Sequence, residues 1–166
     1  MKTAKQFAHY LLNIFDENSD PQSLLAHVRD LCEREQVSFP PALVEKHVSE
    51  AQSVLQSLGQ PVSRLGAFTL LALVQVGAAQ AWSEAQRKSL RPHDILVWIN
   101  EQYGVQYAEN TRESLRRDVI APMVQAGILV HNPDQTDLPA NHPRNHYAIH
   151  ASELEKIKQL GENLAI

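Results

Sequence analysis

The residues best suited to chemistry are three arginines in the segment AENTRESLRRDV, residues 108–119. Apolar residues recur at helical spacing here, so Arg112, Arg116 and Arg117 would lie near the start of a helix. Guanidinium groups at the N-terminal end of a helix can bind base edges and phosphates in the major groove of DNA. Unpaired N–H groups of the first turn would add an anion site. The segment therefore predicts a DNA-contacting helix.

A second interpretation of the same segment remains open. Acidic residues flank the arginines, so the helix face could be a solvated surface of ion pairs. The acids in question are Glu109, Glu113 and Asp118. Asn110 and Glu113 also have the spacing of a capping box, with Thr111 beside them as an alternative cap.

The surrounding elements are typical of a helix-turn-helix followed by a wing. The pattern predicts a helix at 92–103, a turn, a helix at 111–126 and a short strand at 128–130. A loop rich in Pro and Asn then leads to a returning strand at 147–149. The buried side of the second helix is predicted to be Leu115, Val119 and Met123.

This order gives two groups of candidate DNA-contacting residues. The candidates on the helix are Asn110, Thr111, Arg112, Ser114, Arg116 and Arg117. The wing tip offers Asn141, His142, Arg144 and Asn145, of which Asn141 and Arg144 are the preferred candidates.

The rest of the chain is predicted to be mainly α-helical. We expect an N-terminal helical extension at residues 1–60, a winged helix-turn-helix domain at 61–150 and a C-terminal helix at 151–166 that packs on it. The extension includes a helix at 3–16 and another that opens at Asp20-Pro21. The fold class is thus mainly α, with a small β-hairpin wing.

Four residues outside the arginine segment have specific predicted roles. Ser63 would cap an apolar helix through GAFTLLALVQV, and Ser152 would cap the last helix. Trp82 would be an anchoring aromatic in the connection between helices. His47 is predicted to be a packed helix-face residue and not a ligand.

Composition favours an ordinary globular protein. The 166 residues are 43% hydrophobic and 20% charged, with a formal net charge of −4, which argues against a strongly basic nucleic-acid-binding protein. No apolar run is long enough to span a bilayer. Cys32 is the only cysteine, so an internal disulfide is excluded and a reducing, cytoplasmic location is expected.

Histidines also cluster near the wing. His142, His146 and His150 are four residues apart, which on a helix would suggest a metal site. Pro143 and the strand pattern argue against a helix here, so we expect no metal site. No nucleophile motif accompanies Cys32 or any serine, so we expect no catalytic triad.

The segments NTRESLRR, QAG and NPD, with LLALV, WSEA and YGVQYA upstream, resemble the N-terminal domain of the BsuBI/PstI-type restriction endonucleases. The resemblance covers residues 48–160 or so. It implies a winged-helix region involved in binding the target site, joined in that family to a nuclease domain of the PD-(D/E)-x-K class. The residues that match directly are Asn110, Thr111, Arg112, Glu113, Arg116, Arg117, Asn132, Pro133 and Asp134.

Some positions differ from the family pattern. The family helix continues with glutamine and histidine after the arginine pair, where this chain has Asp118 and Ala121-Pro122. The wing has Leu138 where the family carries an arginine. Pro122 removes a helical hydrogen bond, which predicts a kink or split near Asp118.

The catalytic signature is also missing. No lysine follows an Asp or Glu by two positions, so we expect this chain alone to be non-catalytic. We expect no cofactor in it, and Mg²⁺ only if a nuclease domain is supplied elsewhere.

The preferred hypothesis is a duplex-DNA-binding winged helix of a restriction-modification or defence system. The alternative is a protein-interaction module that forms a homodimer through the apolar stripe Phe7, Leu11 and Ile14. A continuous positive surface from the arginines to Arg144 would favour DNA, whereas a broken or acidic surface would favour protein.

Overall fold

The computed structural model describes residues 41–134, 138–139 and 142–164, with side chains from residue 44 onward. Several predictions concern residues outside these ranges. They are the helix at 3–16 with Phe7, Leu11 and Ile14, the helix after Asp20-Pro21, Cys32, and the wing residue Asn141.

The described chain is a winged helix-turn-helix that is mainly helical, which confirms the predicted fold class. The first half contains α1 (Pro41–Ser57), α2 (Arg64–Leu73), a 3₁₀ turn (Trp82–Glu84) and α3 (Pro92–Tyr103). The second half contains α4 (Thr111–Ser114), a π-helical segment (Leu115–Ile120), α5 (Ala121–Gln125), β1 (Leu129–His131), β2 (Tyr147–Ile149) and α6 (Ala151–Leu164). No helix in the described part is long and apolar enough to cross a membrane.

Helix α2 lies at the centre of the core. All its residues from Gly66 to Leu73 are buried, and it packs against α1, α3 and the π-helical segment. The Ser63 side chain accepts a hydrogen bond from the Gly66 N–H at 2.9 Å, so the predicted cap is confirmed. The predicted division into three regions stays a prediction; α1 packs on both α2 and α6.

Trp82 joins α1 to α6. Its side chain is fully buried, and its indole N–H donates to Glu50 Oε2 of α1 at 2.6 Å. Burial raises the pKa of the Glu50 carboxyl, against the opposing effects of the indole and of Lys46. The predicted anchoring role of Trp82 is therefore confirmed.

His47 occupies the buried side of α1 at the same end of the core. Its ring meets Tyr103 of α3 edge to face, with centroids 6.3 Å apart. Burial lowers the pKa of His47 to about 4, so the imidazole is neutral near pH 7. His47 is a packed residue, as predicted.

The hairpin pairs Leu129 with Ile149 and His131 with Tyr147 in an antiparallel register. The first strand begins one residue later than predicted. The sequence also missed an isolated bridge: Leu90 exchanges two hydrogen bonds of 2.9 Å with Tyr147. Leu90 thus pairs with the small sheet as a one-residue third strand. A single residue has no alternating pattern, so the sequence does not predict this pairing.

The start of α6 corrects another prediction. The helix begins at Ala151, so Ser152 is its second residue and not its cap. The cap is His150, whose Nδ1 accepts the Ser152 N–H at 3.1 Å. An imidazole nitrogen can thus replace the oxygen acceptor that the sequence pattern assumes.

We predict that Gly161→Ala destabilises the protein by about 1–3 kcal/mol. Alanine normally favours a helix over glycine, by about 1 kcal/mol. At position 161, however, an added Cβ would overlap the Trp82 ring, and the overpacking outweighs the helical gain. Urea denaturation measures the effect, with Gln159→Ala on the exposed side of α6 as the control. A Gly161→Ala protein as stable as wild type would contradict this close packing.

Candidate nucleic-acid interface

The arginines lie on one continuous helix formed by α4, the π-helical segment and α5. Its buried side contains Leu115, Val119 and Met123, as predicted. Pro122 neither splits the helix nor interrupts it, which corrects one of the outcomes predicted for it. Its effect falls one turn upstream, where the Ala121 N–H bonds the Arg116 carbonyl five residues back. The missing hydrogen bond of Pro122 is thus accompanied by a π-helical segment, and the helix stays continuous.

The start of this helix differs from the prediction. Asn110 has helical backbone angles and makes no side-chain cap bond, so the Asn110–Glu113 capping box is absent. The Thr111 and Arg112 N–H groups donate to the carbonyls of Ala108 and Glu109 at 3.0 and 3.1 Å. The predicted anion site at these two N–H groups is therefore wrong.

The turn before the helix is held by Asn100 of α3. Its side-chain oxygen accepts the Tyr107 N–H at 2.9 Å, and its amide donates to the Tyr107 carbonyl at 3.0 Å. Gly104 ends α3 in the left-handed conformation, with φ of 67°. These contacts set the angle between α3 and the arginine-bearing helix.

Each arginine of the helix is paired with an acid, as the solvated-face interpretation expects. Arg112 contacts Glu109 at 3.3 Å, and Arg116 contacts Glu113 at 2.8 Å. Arg117 binds its neighbour Asp118 through Nε at 2.8 Å.

These pairs lie at the surface and are easily exchanged. The three arginine side chains are 44–67% exposed. Hydrogen bonding to Arg116 lowers the pKa of the Glu113 carboxyl, so this pair is charged near pH 7. Exposed ion pairs contribute about 0–1 kcal/mol each, so a strongly bound anion can replace the carboxylates.

A cleft of about 300 Å³ separates the arginine-bearing helix from the start of α3 and from the wing. The arginine, histidine and tyrosine side chains that line it are Arg91, His93, Arg112, Arg116, His142 and Tyr147. A second depression is lined by Arg116 together with residues that include Ile120, His131 and Tyr147. Arg116 therefore lies between two concave surfaces.

The base of the wing is held by a buried amide pair. Asn132 has a positive φ of 49°, and its Nδ2 donates to Asn145 Oδ1 at 2.8 Å. The Asn132 Oδ1 accepts the His146 N–H, also at 2.8 Å. Asn145 is largely buried but lines the cleft, and its predicted contact with DNA stays a prediction. Its side chain also holds the loop, through a bond to the Pro139 carbonyl.

His146 binds two acceptors at once. Its Nδ1 lies 2.8 Å from the Arg144 carbonyl oxygen, and its Nε2 contacts the Asp134 carboxylate. Neither partner has a proton to give near pH 7, so both ring nitrogens must carry hydrogen. The Arg144 carbonyl first, and then Asp134, raise the pKa of His146. These contacts favour the imidazolium form of the ring, which links Arg144 to Asp134.

The predicted residues do not all come together. Arg112 and Arg116 share the cleft, whereas Arg117 does not line it. Asn110 and Arg144 are exposed, and Thr111 and Ser114 are half-buried, all outside the cleft lining. The sequence missed Arg91 and His93, although their place at the start of the first helix of a helix-turn-helix was an available signal.

The wing histidines each bind separate partners. His142 accepts the Arg144 N–H, His146 contacts Asp134, and His150 caps α6. Within the described residues, no three potential ligands gather around one point.

We predict that the wing loosens as the pH rises above neutrality. Because folding raises the pKa of His146, its protonation stabilises the folded state. This stabilisation is complete below the pKa of the unfolded state, near 6.5, and is lost as the pH rises through the higher pKa of the folded state. The ion pair is also lost in acid, because Asp134, whose pKa is lowered, becomes protonated as the pH falls below about 3.8. Asp134→Asn should lower the pKa of His146, and ¹⁵N NMR of the imidazole ring measures that change. One protonated ring nitrogen at pH 6 in the wild type would contradict the imidazolium.

Comparison with known proteins extends these observations. A family model described as the BsuBI/PstI restriction endonuclease HTH domain matches residues 45–163. The type II restriction enzyme BsuBI of Bacillus subtilis is 35% identical over 118 residues, which cover 69% of this chain and 37% of that enzyme. The type II restriction enzyme AplI of Arthrospira platensis is 30% identical over 125 residues, covering 74% of this chain and 38% of that enzyme.

A solved structure has the same fold. The SdaI restriction endonuclease superposes with a TM-score of 0.63 at 26% identity, over 66% of this chain and 35% of that chain. The chain thus spans a little over a third of the length of these relatives. With a family match across residues 45–163, the chain belongs to the BsuBI/PstI restriction endonuclease HTH domain family.

Proposed function

We propose that this domain binds duplex DNA, with the helix from Thr111 to Gln125 in the major groove and the wing against the backbone. The observation that carries the proposal is the shared cleft, in which Arg112 and Arg116 of the helix face His142 of the wing. A helix that presents arginines and a hairpin that faces them across one space fit the two sides of a duplex groove.

The membership of the family supports the same function. The related proteins are named type II restriction enzymes, and the matching part is named their HTH domain. We propose that this chain serves as the recognition domain of such an enzyme, or as a stand-alone relative in a restriction-modification system. Cleavage itself would require other residues, because the chain lacks a carboxylate followed by lysine at the required spacing.

The overall charge of −4 is compatible with this proposal. The phosphate field is felt locally, within about 10 Å at 0.1 M salt. Residues 1–60 hold five Lys or Arg against eight Asp or Glu, whereas residues 61–166 hold ten against eleven. Three of the four net negative charges therefore lie in residues 1–60.

We predict that replacing both Arg116 and Arg117 with alanine weakens binding to duplex DNA by about 100-fold, because each charge-assisted hydrogen bond contributes about 1.5 kcal/mol. The dependence of log K on log salt should also become less steep, by about 0.9 for each phosphate that the variant no longer neutralises. Anisotropy titrations of a labelled duplex of about 25 base pairs measure both quantities.

Replacing both Lys156 and Lys158 with alanine removes the same two positive charges and is the control for this double variant. Both lysines lie on α6, which packs mainly on α1 and the 3₁₀ turn. An unchanged affinity in the double variant would remove these arginines from the interface.

One observation favours a protein-interaction module instead. Glu109, Glu113 and Asp118 neutralise the three arginines in the free protein, so the positive surface is interrupted by acids. Under this second proposal the chain would form a homodimer through its N-terminal residues. Sedimentation with and without residues 1–38 tests it, and monomers in both cases would count against it.

A further inference from the structure

We propose that the cleft is a binding site for one backbone phosphate of the duplex, and that Arg91, which lies outside the arginine-bearing helix, is one of its ligands. This inference rests on the proposed DNA binding and assigns separate roles within it. The site would take a phosphodiester, whatever the bases attached to it.

The charges in the cleft suit a phosphate. Three guanidinium groups line it, from Arg91 before α3 and from Arg112 and Arg116 on the arginine-bearing helix. Glu113 is the single carboxylate in the lining. Arginine binds phosphate through paired N–H groups, and several such groups can converge on one anion.

The arginines still have donors to offer. Asp94 occupies Nε and Nη2 of Arg91, at 2.7 and 2.9 Å. Glu113 contacts Arg116 through Nη2 only, at 2.8 and 3.1 Å. A guanidinium has five N–H donors, so a phosphate can bind beside the carboxylate before replacing it.

Arg91 is held in place by the sheet. It directly follows Leu90, whose two hydrogen bonds of 2.9 Å join it to Tyr147 of β2. Tyr147 also lines the cleft. The backbone that carries Arg91 is therefore fixed to the strand that returns from the wing. This cross-connection presents a cation from the first helix of the motif to the space between the second helix and the wing.

The arrangement divides the arginines between two tasks. Arg112 and Arg116 are four residues apart and share the cleft with Arg91, so they contribute sequence-independent affinity. Arg117 lies outside the cleft and is the most exposed of the three helix arginines, with 67% of its side chain exposed. Under this proposal, Arg117 is the helix arginine that contacts base edges.

The test measures salt dependence in three single variants of the full chain, with a labelled random-sequence duplex of about 25 base pairs as probe. Arg91→Gln should weaken binding roughly tenfold and reduce the slope of log K against log salt by about 0.9. Lys156→Gln removes the same charge from α6 and should leave that slope unchanged. Glu113→Gln removes the competing carboxylate and should tighten binding several-fold.

The outcomes separate the two proposals. If Arg91→Gln and Lys156→Gln behave alike while the Arg116/Arg117 double variant loses binding, the phosphate site is wrong and DNA binding stands. If the wild type does not bind the duplex, the proposed function itself is wrong. Glu113→Gln provides an independent check should Arg91→Gln fold poorly, and weaker or unchanged binding by that variant would overturn the phosphate site.

Discussion

The cleft of the candidate interface depends first on one pair of backbone hydrogen bonds, between Leu90 and Tyr147. A winged helix must hold two separate bodies, the helix pair and the hairpin, in a fixed relation. Here the residue just before α3 is bonded to the strand that returns from the wing. The turn at Tyr107, held by Asn100, fixes the other end of α3. The cleft between helix and wing follows from these two constraints.

The electrostatics of the interface are those of an exchangeable surface. Each arginine of the helix has a carboxylate within 3.3 Å, and each of these pairs is largely exposed to solvent. Such pairs hold long side chains near their working positions at little cost in free energy. Replacing a carboxylate by a phosphate preserves the charge balance around the guanidinium.

Among the described residues, periodicity was sufficient to predict the main helices, the hairpin and the buried residues Leu115, Val119 and Met123. It failed where the outcome depends on backbone geometry. Asn110 has a capping side chain but helical backbone angles, because the preceding turn already accepts the first N–H groups. The Leu90 bridge involves one residue and leaves no pattern. In the candidate site, residue types indicated the arginines of the helix, whereas only the folded arrangement brings Arg91 beside them.

The π-helical segment has a consequence for how such a domain diversifies. A π turn is equivalent to one extra residue inserted in an α-helix, so side chains before it are rotated by about 100° relative to those after it. Leu115–Ile120 contains Arg116 and Arg117, while Met123 lies beyond it in the core. Leu115 and Val119 of the same segment are buried, so gain or loss of a single residue here would turn the arginines and these core residues together. The direction of the arginines is thereby coupled to the packing of the core.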